Sequence, residues 1–428
     1  MKIDQLRLEN FKIFKKATIN FRPITILAGA NSSGKSTILN AITSVMQTSP
    51  SLFPFKYFPN GKTCQLGGYR DIVFGKNIKS NFSIGLSVSA KTKQMKLDST
   101  FRYSPRGNQI LPQRFRFTDD DDTISVEWIK ERYVARIDNQ SFNRLRSDET
   151  PEEFMKFFDS LNAIVAQMES EQGAKDVRDI FEKQPKTAFP LNTKNPLEIL
   201  SELSKTKPAS IMLLNGLIEF MTGLGNLTTY LGPVRAYPSR YYQAELADAG
   251  MDKMGKNAVS ILFEWKNYDK PRFQAVLAML QLLQLASKVS ASTGLEDVIR
   301  LNVQPYRHRE MVNIADSGFG LSQVLPILVA DAAFDSQGTL LVNQPEVHLH
   351  PSSQAQLANH IVSRLKRRQY IVETHSEYLI NRLRLLVVKG KLKREDVSIV
   401  YFDKPVGKGG ARVREIELGE TGELHGAP

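Results

Sequence analysis

The stretch GANSSGKST, residues 29–37, constrains the fold more than any other part of this sequence. It matches the pattern G-x-x-x-x-G-K-[ST], in which glycines let the backbone curl so that its amide hydrogens face phosphate groups. The apolar run ITILAG precedes it, and TILNAITSVMQT, with apolar residues at helical spacing, follows it. A strand, this loop and a helix in that order predict a nucleotide-binding α/β domain.

The residue types in this loop suit ATP and Mg²⁺ as cofactors. Lys35 would place a positive charge on the phosphates, and the Ser36 hydroxyl can ligate Mg²⁺. The predicted cofactor-binding residues here are Gly29, Ala30, Asn31, Ser32, Ser33, Gly34, Lys35, Ser36 and Thr37.

A second apolar strand, TLLV, ends in the polar segment NQPEVHLHP. ATP-binding loops are usually accompanied by such a strand, with a carboxylate for Mg²⁺ at its tip. Asn343 occupies that position, Gln344 follows it, and Glu346 is the first carboxylate. An amide oxygen is a neutral and weaker ligand for Mg²⁺. We therefore predict a chain that binds ATP more readily than it hydrolyses it, with a slow or inactive ATPase.

Two further segments predict phosphate contacts. Ser317, Gly318 and Gly320 form a turn that opens an apolar helix, and a helix N-terminus can bind a phosphate. The strand YIVET ends next to His375, which could hydrogen bond to the terminal phosphate. The predicted catalytic residues are Glu346, His375 and Gln344, and the predicted metal ligands are Ser36 and Asn343.

The H-x-H spacing of His348 and His350 leaves an alternative open. With Glu346 they could hold zinc or form part of a metal-dependent nuclease, although no further ligand is visible nearby.

Composition limits the setting but not the partner. The net charge of +12 permits contact with nucleic acid, and it is equally typical of a soluble protein without a polyanionic partner. A single cysteine excludes a disulfide within the chain, and no apolar run reaches the roughly 18 residues of a membrane span. We expect a cytoplasmic protein without a membrane partner.

Pattern changes along the chain predict three regions. Residues 1–149 contain the phosphate loop and strands with period-2 alternation, including LGGYRDIVF. Residues 150–227 have helical periodicity and predict a helical insertion. Residues 228–428 alternate strands and helices, which predicts a parallel sheet.

Several motifs together resemble a family. LRLENFKIF with GANSSGKSTILNAI is similar to the ATP-binding heads of the SMC, RecF and overcoming-lysogenization-defect (OLD) ATPases. YLGPVRAYPSRYY, DSGFGLSQVLPILV, NQPEVHLHPSSQAQLA and IVETHSEYLINRL look closer to the OLD and Septu ATPases, many encoded in anti-phage defence loci. The resemblance implies an α/β, ABC-type ATPase head with a P-loop parallel sheet, an N-terminal antiparallel β subdomain and an inserted helical region.

The resemblance also implies partners. Ser317, Gly318 and Gly320 match the signature that touches the ATP of the other subunit, and His375 matches a switch histidine. It therefore implies a head-to-tail dimer or a larger homo-oligomer. No Toprim nuclease domain fits the short C-terminal remainder, so a separate effector protein, a nuclease or toxin, is expected. A RecF- or SMC-like ATPase that binds DNA directly is the alternative.

Overall fold

An antiparallel sheet and a mostly parallel sheet organise the part of the chain that the structure describes. The structure is a computed structural model, and it describes residues 1–48, 53–90, 93–138, 187–191, 195, 198–199, 203, 208–243, 250–293, 298–403 and 410–426. The fold is α/β, as the sequence predicts: a parallel sheet contains the phosphate loop, and an antiparallel sheet forms the N-terminal half.

The antiparallel sheet has eight described strands in the order β2-β1-β4-β5-β6-β7-β8-β9. They are β1 (Lys2–Phe11), β2 (Phe14–Asn20), β4 (Phe82–Ala90), β5 (Lys93–Ser104), β6 (Gln109–Asp119), β7 (Asp122–Ile129), β8 (Arg132–Asp138) and β9 (Thr187–Pro190). In β2, β5 and β6, buried residues largely alternate with more exposed ones, so one face packs on the core and the other is polar.

The phosphate loop and the predicted metal ligands lie at the parallel sheet. Its order is β10-β15-β16-β3-β17, extended by the antiparallel strands β18 and β19. The strands are β3 (Ile24–Gly29), β10 (Thr228–Leu231), β15 (Gly338–Asn343), β16 (Arg368–Glu373), β17 (Val397–Asp403), β18 (Arg412–Leu418) and β19 (Leu424–His425). Every residue of β15 and β16 is buried, as expected for central strands covered on both faces.

Helices and a small sheet complete the described fold. The helices are α1 (Lys35–Met46), α2 (Tyr69–Ile72), α3 (Pro208–Asn226), α4 (Ala258–Tyr268), α5 (Lys270–Leu282), α6 (Phe319–Ala333), α7 (Pro351–Arg364) and α8 (Glu377–Val388), with 3-10 turns at Phe74–Lys76, Ile314–Asp316 and Arg394–Asp396. The small sheet contains β11 (Tyr242–Gln243), β12 (Ala286–Thr293), β13 (Val298–Pro305) and β14 (Val312–Asn313).

One buried amide joins the two main sheets. The side chain of Gln369 in β16 accepts a hydrogen bond from Ile3 N (2.8 Å) and donates one to Ile3 O (2.7 Å). The hydroxyl of Thr339 donates to the same amide oxygen at 3.0 Å. The N-terminal strand is thereby fixed to the strands that bear the candidate site.

The structure bears on two of the predictions made for regions of the chain. The segment LGGYRDIVF is not a strand: Tyr69–Ile72 is a short helix, begun at Gly68, whose amide donates to the carboxylate of Asp71. Of the predicted helical insertion, residues 150–186 lie outside the described part; the described remainder includes strand β9 as well as helix α3. No helix within the described ranges is long and apolar enough to cross a membrane.

Candidate functional site

The phosphate loop joins the end of β3 to the start of α1, and two of its glycines are sterically required. Gly29 has φ +135°, and a Cβ there would lie 2.5 Å from the carbonyl oxygen of Phe402. Gly34 has φ +106°, and a Cβ there would lie 2.6 Å from the Ile13 side chain. No side chain caps α1. The backbone amides at its N-terminus, which is the positive end of the helix dipole, therefore face the loop.

Lys35 lies folded over this loop. Its ammonium group donates hydrogen bonds to the carbonyl oxygens of Gly29 (2.9 Å) and Ala30 (2.8 Å), and the residue is only 4% exposed. Burial lowers the pKa of Lys35, and the nearby charge of Glu373 raises it in part. The cation is therefore already positioned where phosphates would meet the loop amides.

Ser36 contacts an acid that the sequence analysis did not single out. Its hydroxyl donates a 2.9 Å hydrogen bond to Oε1 of Glu373, the last residue of β16, which lies beside β3. Burial raises the pKa of Glu373, while the hydrogen bond from Ser36 and the charge of Lys35 oppose that rise. The available signal was an acid at a strand end directly before Thr374 and His375.

Asn343 lies beside Glu373 at the matching end of β15. The two residues are register partners in parallel strands, and Asn343 is 3% exposed, with no hydrogen-bond partner for its Oδ1. Gln344 follows in a left-handed turn at φ +47°, and its amide donates to the carbonyl oxygen of Glu373 at 2.7 Å. The turn thus brings the predicted metal ligand and the unpredicted acid to one place.

A buried arginine supports this turn. Arg235 is 2% exposed and donates to the carbonyl oxygens of Asn343 (2.7 Å) and Gln344 (3.2 Å). Burial lowers the pKa of Arg235 to about 10, and the charge of Glu346 acts in the opposite direction. This role of Arg235 was not predicted, because nothing local to an arginine in the sequence reveals which carbonyl groups it will reach.

Glu346 and His375 are also brought together. Oε1 of Glu346 accepts a 2.7 Å hydrogen bond from the backbone amide of His375, and its Oε2 is buried without a partner. His375 is exposed. Ser376 then caps α8 by accepting from Leu379 N at 3.0 Å, which fixes the start of the helix behind the histidine.

The histidines of the H-x-H pair take separate roles. The ring of His348 packs on Phe319 with centroids 5.5 Å apart, and His350 caps α7 by accepting from Ser352 N. Among the described residues, no group of three or more His, Cys, Asp or Glu side chains could hold a metal ion. The alternative in which Glu346, His348 and His350 together hold a metal ion is therefore not supported.

The signature turn packs directly on the loop that follows β15. Gly318 precedes α6 at φ +85° and is exposed, and the Ser317 hydroxyl donates to the carbonyl oxygen of Ile314 at 2.8 Å. A Cβ at Gly320 would lie 2.6 Å from the carbonyl oxygen of His348. The first turn of α6 and the loop after Asn343 are thus in close contact within one chain.

The donor set at the ends of β15 and β16 fits Mg²⁺. Asn343 Oδ1 and Glu373 Oε2 are buried oxygen atoms without hydrogen-bond partners, and the Ser36 hydroxyl lies at the same site. Mg²⁺ takes oxygen ligands and is commonly held by one or two carboxylates together with substrate phosphates. Unpaired buried oxygens are costly unless a donor or a cation meets them.

The family comparison identifies the class of this domain. The family described as AAA ATPase domain matches residues 1–380. The chain belongs to the AAA ATPase domain family. As a member of this family it is a nucleotide-binding ATPase.

Solved structures of low identity were also found for this AAA ATPase. The SMC head domain of Pyrococcus furiosus, with an extended coiled coil and bound to the C-terminal domain of ScpA, is 14% identical, with 97% of this chain and 96% of that chain covered and a TM-score of 0.44. The SMC head domain from Thermotoga maritima is 11% identical, with 98% and 100% covered and a TM-score of 0.43. The comparison with curated proteins finds no match.

Proposed function

We propose that this AAA ATPase is the nucleotide-binding subunit of an anti-phage defence system of the OLD and Septu kind, acting as a dimeric ATP-dependent switch on a separate effector. The observation that carries the nucleotide-binding part is the phosphate loop, where Lys35 is held over the curled backbone beside the bare N-terminus of α1. The defence role rests on the motif resemblance, and the cytoplasmic setting rests on the composition of the chain.

The residues around the loop have separable roles in this proposal. Lys35 and the loop amides bind the phosphates, and Ser36 and Asn343 lie on the side where Mg²⁺ would be held. When bound, Mg²⁺ neutralises phosphate charge. Gln344 is a neutral amide and cannot accept a proton, so Glu346 is the candidate base, and slow hydrolysis suits a switch that persists with ATP bound.

In this proposal His375 senses the bound nucleotide. Its backbone amide is held by Glu346, whereas its ring is exposed at the carboxyl end of β16. In open parallel sheets, ligands bind outside this end of the strands. A terminal phosphate that met the imidazole would therefore change the environment of the loop between β16 and α8.

The signature supplies the dimeric part of the proposal. Gly318 is exposed at the start of a 15-residue helix, so a phosphate held by a second copy could approach its N-terminus. A pair in which each signature meets the other phosphate loop has two-fold symmetry. ATP would then hold the two heads together and expose or cover the surface that the effector recognises.

Light scattering with ATP tests this pairing. The natural chain is expected to shift from monomer to dimer or a larger assembly on adding Mg-ATP, and Ser317→Arg should prevent the shift while leaving ATP binding intact. Ser292→Arg, at an exposed position in β12, is the matched control. The assay is repeated in the presence of the proteins that neighbouring genes encode. If the natural chain stays monomeric there with ATP bound, the switch as proposed is ruled out.

One observation favours the DNA-binding alternative. The polar face of the antiparallel sheet bears a groove lined by Arg7, Lys16, Arg114 and Arg116, with Glu9 and Asp98 as its acids. Arg114 and Arg116 are exposed on β6. If this face holds nucleic acid, affinity should fall steeply with salt, and Arg114→Glu with Arg116→Glu should weaken it. Absence of binding at low salt would leave the switch without direct nucleic-acid contact.

A further inference from the structure

The site lacks a carboxylate where β15 ends, yet a carboxylate is present one strand away. Asn343 and Gln344 are both amides, so neither contributes charge to a cation. Glu346 lies three residues beyond the end of β15, in the loop where its carboxylate holds the amide of His375. Glu373, by contrast, projects from the end of β16, the strand that lies between β15 and β3.

The contact with Ser36 places Glu373 at the metal side of the phosphate loop. Ser36 is the loop hydroxyl suited to Mg²⁺, and Glu373 Oε1 accepts its hydrogen bond at 2.9 Å. Glu373 pairs in register with Asn343 on one side and with Leu27 of β3 on the other. The acid is therefore adjacent both to the loop hydroxyl and to the position where an acid was expected.

Two buried oxygen atoms without partners mark the same place. Glu373 Oε2 and Asn343 Oδ1 have no hydrogen-bond partner, and the two residues are 4% and 3% exposed. Register neighbours in parallel strands project their side chains to the same face. A carboxylate oxygen and a neutral amide oxygen thus lie side by side, next to a hydroxyl, and such a set of hard oxygen ligands suits Mg²⁺.

We propose that Glu373 supplies the carboxylate for Mg²⁺ that Asn343 lacks, with Asn343 adding a neutral oxygen beside it. The carboxylate of the metal site then lies at the end of β16, one strand away from the end of β15, where such an acid was expected. This inference rests on the proposed binding of ATP at residues 29–37. It assigns the charge to Glu373 rather than to Glu346, so that Glu346 remains free for proton transfer.

Metal binding can be measured without turnover. Mn²⁺, which replaces Mg²⁺ at oxygen sites, is titrated by EPR into the chain saturated with the β,γ-imido analogue of ATP. Glu373→Gln is expected to lower Mn²⁺ affinity on the order of tenfold to a hundredfold. Nucleotide affinity without metal should stay the same or rise, because a negative charge near the phosphates is lost. Glu377→Gln, an exposed acid four residues further on, should match the natural chain.

A double variant that moves the carboxylate from β16 to β15 tests the assignment further. Asn343→Asp combined with Glu373→Gln returns a carboxylate to β15 and should recover most of the lost Mn²⁺ affinity. Glu346→Gln should change it less than about threefold. If Glu373→Gln does not fold, Glu373→Asp keeps the charge but shortens its reach, and its Mn²⁺ affinity should fall to an intermediate value.

The outcomes separate this inference from the proposed function. Unchanged Mn²⁺ affinity in Glu373→Gln, or in Glu373→Asp where that variant is needed, overturns the assignment. So does a loss confined to Glu346→Gln, or a loss in Glu373→Gln that the exchange does not repair. A natural chain that binds no nucleotide, with or without metal, would instead refute the proposed function.

Discussion

Arg235 donates a 2.7 Å hydrogen bond to the backbone oxygen of Asn343, 108 residues further along the chain. The same guanidinium donates to Gln344 O, so one buried cation holds both residues of the turn that follows β15. The side chain of Arg235, from the segment that follows β10, therefore fixes the positions of Asn343 and Gln344. The loop after them, which contains Glu346, depends on the same side chain.

Replacing Arg235 should therefore loosen the site. Arg235→Ala leaves two carbonyl oxygens without their charged donor, and we expect a loss of about 2–4 kcal/mol in the free energy of unfolding. Nucleotide affinity should also fall. Arg240→Ala, which removes an exposed ion pair with Asp316, is the control and should cost less than about 1 kcal/mol. Urea denaturation of both variants gives the comparison, and equal losses would count against a special role for Arg235.

Gly34 can be tested against another glycine of positive φ that has open surroundings. Gly34 and Gly75 both have positive φ, yet a Cβ at Gly34 would meet the side chains of Ile13 and Phe14, whereas nothing lies within 4 Å of one at Gly75. Gly75→Ala should cost about 1–2 kcal/mol for its backbone alone. Gly34→Ala should add about 1–3 kcal/mol for crowding. Thermal unfolding of the two variants measures the difference; equal midpoints would contradict the crowding.

Glu346→Gln should remove residual hydrolysis while the chain still binds ATP. Oε2 of Glu346 is buried without a partner, and its Oε1 holds the His375 amide, so the carboxylate is free to accept one proton at a fixed position. Removing a general base typically lowers the rate about 10²–10⁴-fold. Phosphate release by Glu346→Gln and by the exposed control Glu377→Gln should differ by that order. Equal rates would remove Glu346 from the proposed chemistry.

A buried acid far from the phosphate loop predicts a pH dependence of stability. Asp331 in α6 is 0% exposed and contacts Arg364 (3.0 Å), Arg368 (3.1 Å), the Tyr370 hydroxyl (3.0 Å) and His360 (3.2 Å). Burial opposes its ionisation, but the hydrogen bond and charge of His360 and the two arginine charges outweigh burial and lower the pKa of Asp331.

The sign of the effect follows from linkage. A carboxyl whose pKa is lower in the folded than in the unfolded chain stabilises the fold above about pH 4 and loses that contribution as pH falls through the folded-state value. Asp331→Asn should cost about 3–5 kcal/mol at pH 7, and the difference from the natural chain should shrink below pH 4. Urea unfolding from pH 3 to pH 7 measures it; a difference constant with pH would be incompatible with this account.

Local patterns predicted the phosphate loop and the parallel sheet because their signals lie within a few residues. Gly29, Gly34 and Lys35 belong to one short loop, and the pattern of residues 29–37 identifies that loop directly. Glu373 was missed because its importance comes from strand order: β16 lies between β15 and β3, and no spacing along the chain reveals that neighbour relation.

Two other differences have equally physical causes. The segment LGGYRDIVF was predicted as a strand, but the hydrogen bond between Gly68 and Asp71 starts a helical turn at Tyr69–Ile72 instead. His348 and His350 have the spacing of metal ligands, whereas their surroundings, the Phe319 ring and the start of α7, assign them packing and capping roles. The spacing of two histidines in the sequence does not reveal such contacts.

Binding of ATP through residues 29–37 can be measured by calorimetric titration of ATP with Mg²⁺ into the natural chain and Lys35→Ala. Lys79→Ala, an exposed lysine outside the loop, is the control. We expect saturable binding by the natural chain and the control, and a loss of at least about a hundredfold in Lys35→Ala, since a buried charge on the phosphates is removed. Unchanged affinity in Lys35→Ala would contradict the account.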